Sequence, residues 1–239
     1  MAIPSLKGLY DRARDGFRVR ALDDEFVRWL SYANAGMLHP GNVWSMDHAL
    51  RGIAEDAAVL EIGSFAGLST NAICHLLRKH GRANPFFTCD NWDVTAHNET
   101  RRIDGSRLTF PEYARYVKES FIRNVEFFSP ENRPHTVECG SAEFFGRWER
   151  REAVRDVFGR EVRLGGAIGF AYVDGIHSVE AVRAEFEAID RVLVPGGFIL
   201  FDDSADSSPF GLNRLMREIA GGGRHELLGQ TPNYFFRKR

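Results

Sequence analysis

Cysteine is scarce in this chain: Cys74, Cys89 and Cys139 are the only three in 239 residues. They are scattered, with no Cys-x-x-Cys pair, which excludes a disulfide framework and leaves buried structural thiols as the expectation. An excess of positive charge is also missing. The 31 Lys and Arg against 33 Asp and Glu give a formal net charge of −2, so no global basic field argues for a nucleic-acid partner. No apolar run is long enough to span a bilayer. The opening Met1-Ala2-Ile3-Pro4-Ser5-Leu6-Lys7 is followed by charged residues where a signal peptide would carry its apolar core. A cytoplasmic protein with no membrane partner is expected. Internal repeats and low-complexity segments are absent too, and so is the Gly-x-Gly-x-x-Gly dinucleotide fingerprint. What is present is enough chain for one α/β domain with a substantial core.

The pattern along the chain alternates between strand and helix signals. Leu6 to Trp29 carries charges with apolar residues at helical spacing and predicts one or two helices. Ala35 to Asn42 reads as a loop, and Trp44 to Ile53 as a short helix. Strands are expected at 57–62, 85–90, 135–139, 168–174 and 198–203. Helices are expected at 68–80, 111–128, 142–158, 178–193 and 212–220. Pro195-Gly196-Gly197 reads as a turn, and 226–228 with 234–236 as a terminal strand pair. Such alternation implies an α/β fold, a doubly wound, mostly parallel sheet with helices on both faces. Ligands in these folds bind beyond the carboxyl ends of the strands. Glu61, Asp90, Asp174, Asp202 and Asp203 all fall at such ends.

The richest segment is Val59-Leu60-Glu61-Ile62-Gly63-Ser64-Phe65-Ala66-Gly67-Leu68-Ser69-Thr70. Gly63 and Gly67 let the backbone turn tightly and approach a ligand closely. The amides of the following helix start favour polar or anionic groups. An ordinary strand-to-helix turn is the alternative. A second segment, Asp174-Gly175-Ile176-His177-Ser178, is matched by Asp202-Asp203 after the next strand. Three carboxylates at adjacent strand ends repel one another or recruit a cation. A hard divalent ion such as Mg²⁺ prefers oxygen ligands, so Asp174, Asp202 and Asp203 are candidate metal ligands. Capping of the next turn or helix is an equal alternative from spacing alone. In Cys89-Asp90-Asn91-Trp92-Asp93, an acid closing the second strand suits a ribose diol. Asp90 fits that place, Asp93 rivals it, and Trp92 is placed to flank a base.

These motifs carry a resemblance. The acidic-x-Gly-x-x-x-Gly pattern from Glu61 to Gly67 resembles the first motif of class I S-adenosylmethionine-dependent methyltransferases. The run Asp174-Gly175-Ile176-His177-Ser178, then Leu193-Val194-Pro195-Gly196-Gly197, then Asp202-Asp203 is similar to the metal-dependent macrocin-type natural-product O-methyltransferases. Catechol-type relatives differ in carrying a lysine and an asparagine where this chain has His177 and Asp203. The resemblance implies a seven-stranded sheet with an antiparallel C-terminal hairpin and extra N-terminal helices. It divides the chain into a helical extension over 1–55 and a core over 56–239 with a lid-like insertion at 91–115. It implies S-adenosyl-L-methionine and Mg²⁺ (or another divalent cation) as cofactors. Glu61, Gly63, Ser64, Gly67, Ser69, Asp90, Trp92, Ser141 and Asp174 are then cofactor-binding, with Asn42 and Trp44 closing over the cofactor.

His177 is the candidate general base, beside Asp174, because histidine titrates near neutrality and accepts a hydroxyl proton. Hydrogen bonding at the start of the next helix is its alternative role. The expected partner is a small-molecule hydroxyl acceptor, a sugar or polyol of a natural product or a phenol. Homo-oligomers are expected from the N-terminal helices of similar enzymes. A Rossmann-type oxidoreductase and a non-catalytic S-adenosylmethionine-binding module are the rival functions.

Overall fold

The computed structural model describes residues 20–93 and 102–239. Two helices precede the sheet, α1 (Glu25–Ala33) and α2 (Pro40–Gly52). Asp24 caps α1 by accepting from the Val27 amide at 3.1 Å. The expected loop at 35–42 is shorter than the sequence suggested. Pro40 opens α2 and His39 Nδ1 accepts from the Gly41 amide, because proline suits a first helical position where no amide donor is needed. The part of the predicted N-terminal helices in residues 1–19 lies outside the described residues, as do residues 94–101 of the predicted insertion.

The core then runs β1 (Ala58–Ile62), α3 (Leu68–Lys79), β2 (Phe86–Asp90), α4 (Phe110–Phe128), β3 (His135–Glu138) and α5 (Ser141–Glu149). After a small hairpin, β4 (Ala153–Arg155) with β5 (Glu161–Arg163), come β6 (Ile168–Val173), α6 (Val179–Val192), β7 (Leu193–Phe201) and α7 (Asn213–Gly221). The chain closes on β8 (His225–Gln230) and β9 (Tyr234–Lys238). The seven-stranded sheet has the order β3-β2-β1-β6-β7-β9-β8. Its strands are parallel except β9, which is antiparallel to both β7 and β8. This is the doubly wound α/β sheet with an antiparallel C-terminal hairpin that the sequence implied. No helix among the described residues is long and apolar enough to cross a membrane.

Strand alternation divides the core. Leu60, Ile62, Ala171, Val173, Ile199 and Phe201 face α5, α6 and α7. Val59, Phe170, Tyr172, Phe198 and Leu200 face α2 and α3. All three cysteines are buried and free, and burial pushes the Cys74 and Cys139 thiols up to about 12 and about 11. They are packing groups, as expected, and not nucleophiles.

Two local readings change. The helix predicted over 142–158 stops at Glu149, and 153–163 forms a hairpin. Val154, Val157 and Phe158 imitate helical spacing. Asp156 decides the matter by accepting from the amides of Phe158 and Arg160, with Gly159 at φ +79°, which is turn chemistry. Pro195-Gly196-Gly197 does not form a separate turn either. It lies within β7 as an irregularity where the register against β6 shifts. Gly196 takes φ +81° there, so the helix runs into the strand without a loop.

Candidate active site

A cavity of about 460 Å³ opens at the carboxyl edge of the sheet. It lies where β1 is flanked by β2 on one side and β6 on the other, the switch in strand order. Gly63, Ser64, Phe65, Ser69, Asp90, Trp92, Asp93, Ser141, Asp174, His177, Asp202 and Asp203 all line it. Of the cofactor-binding residues implied by the sequence, Glu61 and Gly67 are not in the wall. Asn42 and Trp44 are not in it either; Gly36 and Met37 occupy that side.

The glycine turn is shaped as the pattern required. Gly63 sits at φ +82°, and a Cβ there would stand 2.0 Å from the Asp174 carbonyl oxygen. Gly67, at φ +91°, is the residue preceding α3 and brings no side-chain cap, which leaves the helix start to a ligand. Asp90 closes the turn. Its Oδ2 accepts from the Ser64 and Phe65 amides at 2.8 and 2.9 Å, and its Oδ1 from the Trp92 amide at 2.6 Å. Trp92 in turn donates its ring N–H to the Phe65 carbonyl at 2.8 Å and packs on Phe121. Phe65, Trp92 and Asp203 hold positive φ angles of 44°, 46° and 49°. Three strained non-glycine residues in one cavity wall mark a constructed site.

Glu61 lies beneath the turn. It pairs in register with Tyr172 and is fully buried. Its Oε2 accepts from Thr70 at 2.5 Å, while Oε1 has no partner. Burial pushes this carboxyl up to about 8, against the hydroxyls of Ser69 and Thr70. Ser64 Oγ is another buried atom without a partner, and it belongs to the cavity wall.

At the ends of β6 and β7 the acids divide into two sets. Asp174, His177 and Asp203 each bring one ligand atom to within 4.8 Å of the others. His177 Nδ1 is 3.0 Å from Asp203 Oδ2, and Nε2 is 3.7 Å from Asp174 Oδ1. Asp202 stands behind them. Its Oδ1 accepts from Asn42 at 2.8 Å and from Asn233, and its Oδ2 accepts from Tyr172 at 2.8 Å. Of the three acids named from sequence, Asp174 and Asp203 therefore converge with His177, while Asp202 is bound into the framework. Burial pushes Asp174 up to about 7, countered by His177 and reinforced by Asp202. Asp203 is raised by burial and by Asp202. His177 is raised by Asp174, against burial and with Asp203 helping. These carboxyls are short of positive charge, and a hard cation at their centre would supply it.

The sequence profile described as "Methyltransferase domain" matches residues 60–204, more than half of the chain and all of this cavity's strand ends. This chain belongs to that methyltransferase family. No curated protein matches the methyltransferase in sequence. Solved structures match its fold. An O-methyltransferase from Bacillus cereus in complex with SAH superposes with a TM-score of 0.54 at 15% identity, covering 90% of each chain. TomG from Streptomyces achromogenes, an O-methyltransferase of tomaymycin synthesis in complex with SAM, gives 0.54 at 13% identity over 96% of this chain and 92% of its own. The calicheamicin methyltransferase CalS11 gives 0.55 at 18% identity over 93% and 97%.

Three functional positions escaped the sequence reading, and a fourth was given a different role. Tyr172 gave a signal, since it lies two residues before Asp174 and so on the same strand face. Asn233 gave none, being distant in sequence and an ordinary turn residue. Glu185 was hidden in the polar positions of an amphipathic helix. Asn42, expected over the cofactor, holds Asp202 instead.

Proposed function

We propose that this methyltransferase transfers a methyl group from S-adenosylmethionine to a hydroxyl oxygen of a small molecule, with a divalent cation such as Mg²⁺ as helper. The observation that carries this reading is the shared wall. The glycine turn and the Asp174–His177–Asp203 cluster face one cavity. The fit of the cofactor rests on the unpartnered Ser64 Oγ, the side-chain-free cradle at Gly63 and the uncapped start of α3. The fit of the cation rests on the Asp174 and Asp203 carboxylates converging beside His177, with no lysine or arginine among the described residues of the cavity wall.

S-adenosylmethionine supplies an electrophilic methyl group, and a divalent cation supplies Lewis-acid polarisation of the acceptor hydroxyl. The chain's own groups do the rest. The turn from Gly63 to Ser69 holds the cofactor's anionic end at the α3 amides. Asp90 keeps that turn in shape through three amides and, with Asp93 beside it in the wall, is the acid for the ribose. Glu61 supports the turn from below. Ser141 and Trp92 bound the nucleoside side. Asp174 and Asp203 would hold the cation, and the Tyr172 hydroxyl, shared between Asp174 and Asp202, steadies Asp174. His177 donates Nδ1–H to Asp203, which leaves Nε2 as the acceptor of the hydroxyl proton. Holding both partners in line removes much of the entropic barrier.

The acceptor is a sugar or polyol of a natural product, or a phenol. Met37, Ile176 and Phe210 stand exposed at the rim, with the Phe210 ring 4.6 Å from that of His177. An uncharged acceptor with one apolar face suits such a mouth. Titration calorimetry with S-adenosylhomocysteine tests the reading. Saturable one-to-one binding is expected, and a flat titration of folded protein would remove the proposal.

A further inference from the structure

The Ala66 carbonyl lies within the glycine turn, just before Gly67, and it accepts from two side chains. Asn34 Nδ2 and Asn124 Nδ2 each donate to it at 2.9 Å. Asn34 caps the C-terminal end of α1 and is 2% exposed. Asn124 lies on α4. Neither asparagine is in the cavity wall, and neither is Ala66. The two bonds are therefore made behind the turn, where they cannot touch a ligand.

Asn34 is itself fixed by a buried relay. Its Oδ1 accepts from Asn71 Nδ2 at 2.9 Å, and Asn71 Oδ1 accepts from Ser129 Oγ at 2.7 Å. Asn71 and Ser129 are fully buried. The second N–H of Asn34 serves the Ala35 carbonyl at 3.0 Å. The bonds run in one direction, from Ser129 through Asn71 and Asn34 to Ala66. A buried polar network with its members satisfied specifies a single arrangement.

Each of the two donors also leads to an outer wall of the cavity. Asn34 runs directly into Gly36 and Met37, which form one wall, while α4 brings Ala114 and Val117 to another. Gly36 lies close on the start of α3, where a Cβ would stand 2.5 Å from Leu68 Cβ. One backbone oxygen thus ties the turn, the 36–37 segment and α4 together. The Ala66–Gly67 peptide is held on its other side as well, since the Gly67 amide donates to the Ser64 carbonyl at 2.8 Å. Walls already fixed in this way do not have to be ordered when a ligand enters, and that ordering is a cost which preorganisation removes.

Resting on the cofactor reading above, we infer that Asn34 and Asn124 are positioning residues for the cofactor. By sharing the Ala66 carbonyl they hold the glycine turn and the two outer walls in the binding arrangement, and affinity for the cofactor depends on them.

Calorimetric titration with S-adenosylhomocysteine, paired with thermal melting, tests this on the wild type, Asn34→Ala, Asn124→Ala and Asn84→Ala. Asn84 is the control for lost stability alone. It is also buried, its Nδ2 donates to the Ala54 and Ala57 carbonyls at 2.7 Å, and it lies outside the cavity wall. Asn34→Ala should weaken binding by about 5- to 50-fold and Asn124→Ala by about threefold or more, the range of the hydrogen bonds removed. Asn84→Ala should melt at a lower temperature yet keep its affinity within about twofold of the wild type. Wild-type affinity in either folded variant, Asn34→Ala or Asn124→Ala, would overturn the inference, and so would an equal loss in Asn84→Ala. If Asn34→Ala does not fold, Asn124→Ala decides by the same criterion. A wild type that binds no S-adenosylhomocysteine would overturn the cofactor reading and this inference together.

Discussion

Glu61→Gln should make the protein more stable, and increasingly so as the pH rises. The glutamate is fully buried beneath the glycine turn, with one oxygen on Thr70 and the other without a partner. Burial lifts its pKa from 4.5 to about 8. The folded state therefore binds the proton more tightly than the unfolded state. For an acid raised in this way, stability is complete below the unfolded value and declines as pH climbs toward the folded one. The slope is about 1.4 kcal/mol per pH unit in that window. Between pH 5 and pH 8 the loss from this group is on the order of 4 kcal/mol. Glutamine has the same shape, does not titrate, and still accepts from Thr70. Urea unfolding followed by circular dichroism at pH 5, 6, 7 and 8 measures both proteins. The variant's advantage should widen steadily across the series. Parallel stability curves would refute the reasoning, since they would mean that Glu61 titrates normally in the folded protein.

Gly63→Ala should cost at least about 3 kcal/mol and abolish S-adenosylhomocysteine binding, because the new Cβ meets the Asp174 carbonyl at 2.0 Å and φ is +82°; a urea midpoint within error of the wild type would contradict this. His177→Gln should lower kcat by about 10²- to 10⁴-fold while leaving cofactor affinity intact, and retention of full turnover would end its role as base. Asp24→Asn should flatten the acid limb of stability. Burial raises the Asp24 carboxyl, but Lys79, the Val27 amide and His75 together outweigh it and hold the group below 3.8, so its contribution is present above that pH and fades as pH falls below it. Acid titrations of the two proteins with the same slope would show that the charge is not engaged.

The parts of the fold that were legible in the sequence are those dictated by short-range rules. The strands carry near-continuous apolar runs because both of their faces are covered. Ser178 announces a helix start, and Gly63 announces a turn that only glycine makes, whereas Pro40, which reads as part of a loop, opens α2. Local rules failed where two patterns overlapped. Val154, Val157 and Phe158 fit a helix face until the Asp156 turn and Gly159 are seen to act first. Within the site, the acids at strand ends were visible because the end of a strand in an alternating fold predicts its location. How those acids divide was not visible. Asp202 and Asp203 are neighbours in the turn after β7 and both line the cavity, but the partners that claim Asp202 are Asn42 and Asn233. Those contacts join segments far apart in the chain and leave no mark on the local pattern. The same holds for Glu185, whose buried carboxyl looks, in sequence, like one more polar position on an amphipathic helix.

The central claim is that Asp174 and Asp203 hold a divalent cation at the methyl-acceptor end of the cavity. Electron paramagnetic resonance titration of Mn²⁺, with S-adenosylhomocysteine present, tests it without needing the acceptor. The wild type should bind one Mn²⁺ ion, and Asp203→Asn should weaken that binding by at least about tenfold, the effect of one lost charged ligand. Free Mn²⁺ signal throughout the wild-type titration, or equal binding by Asp203→Asn, would contradict it.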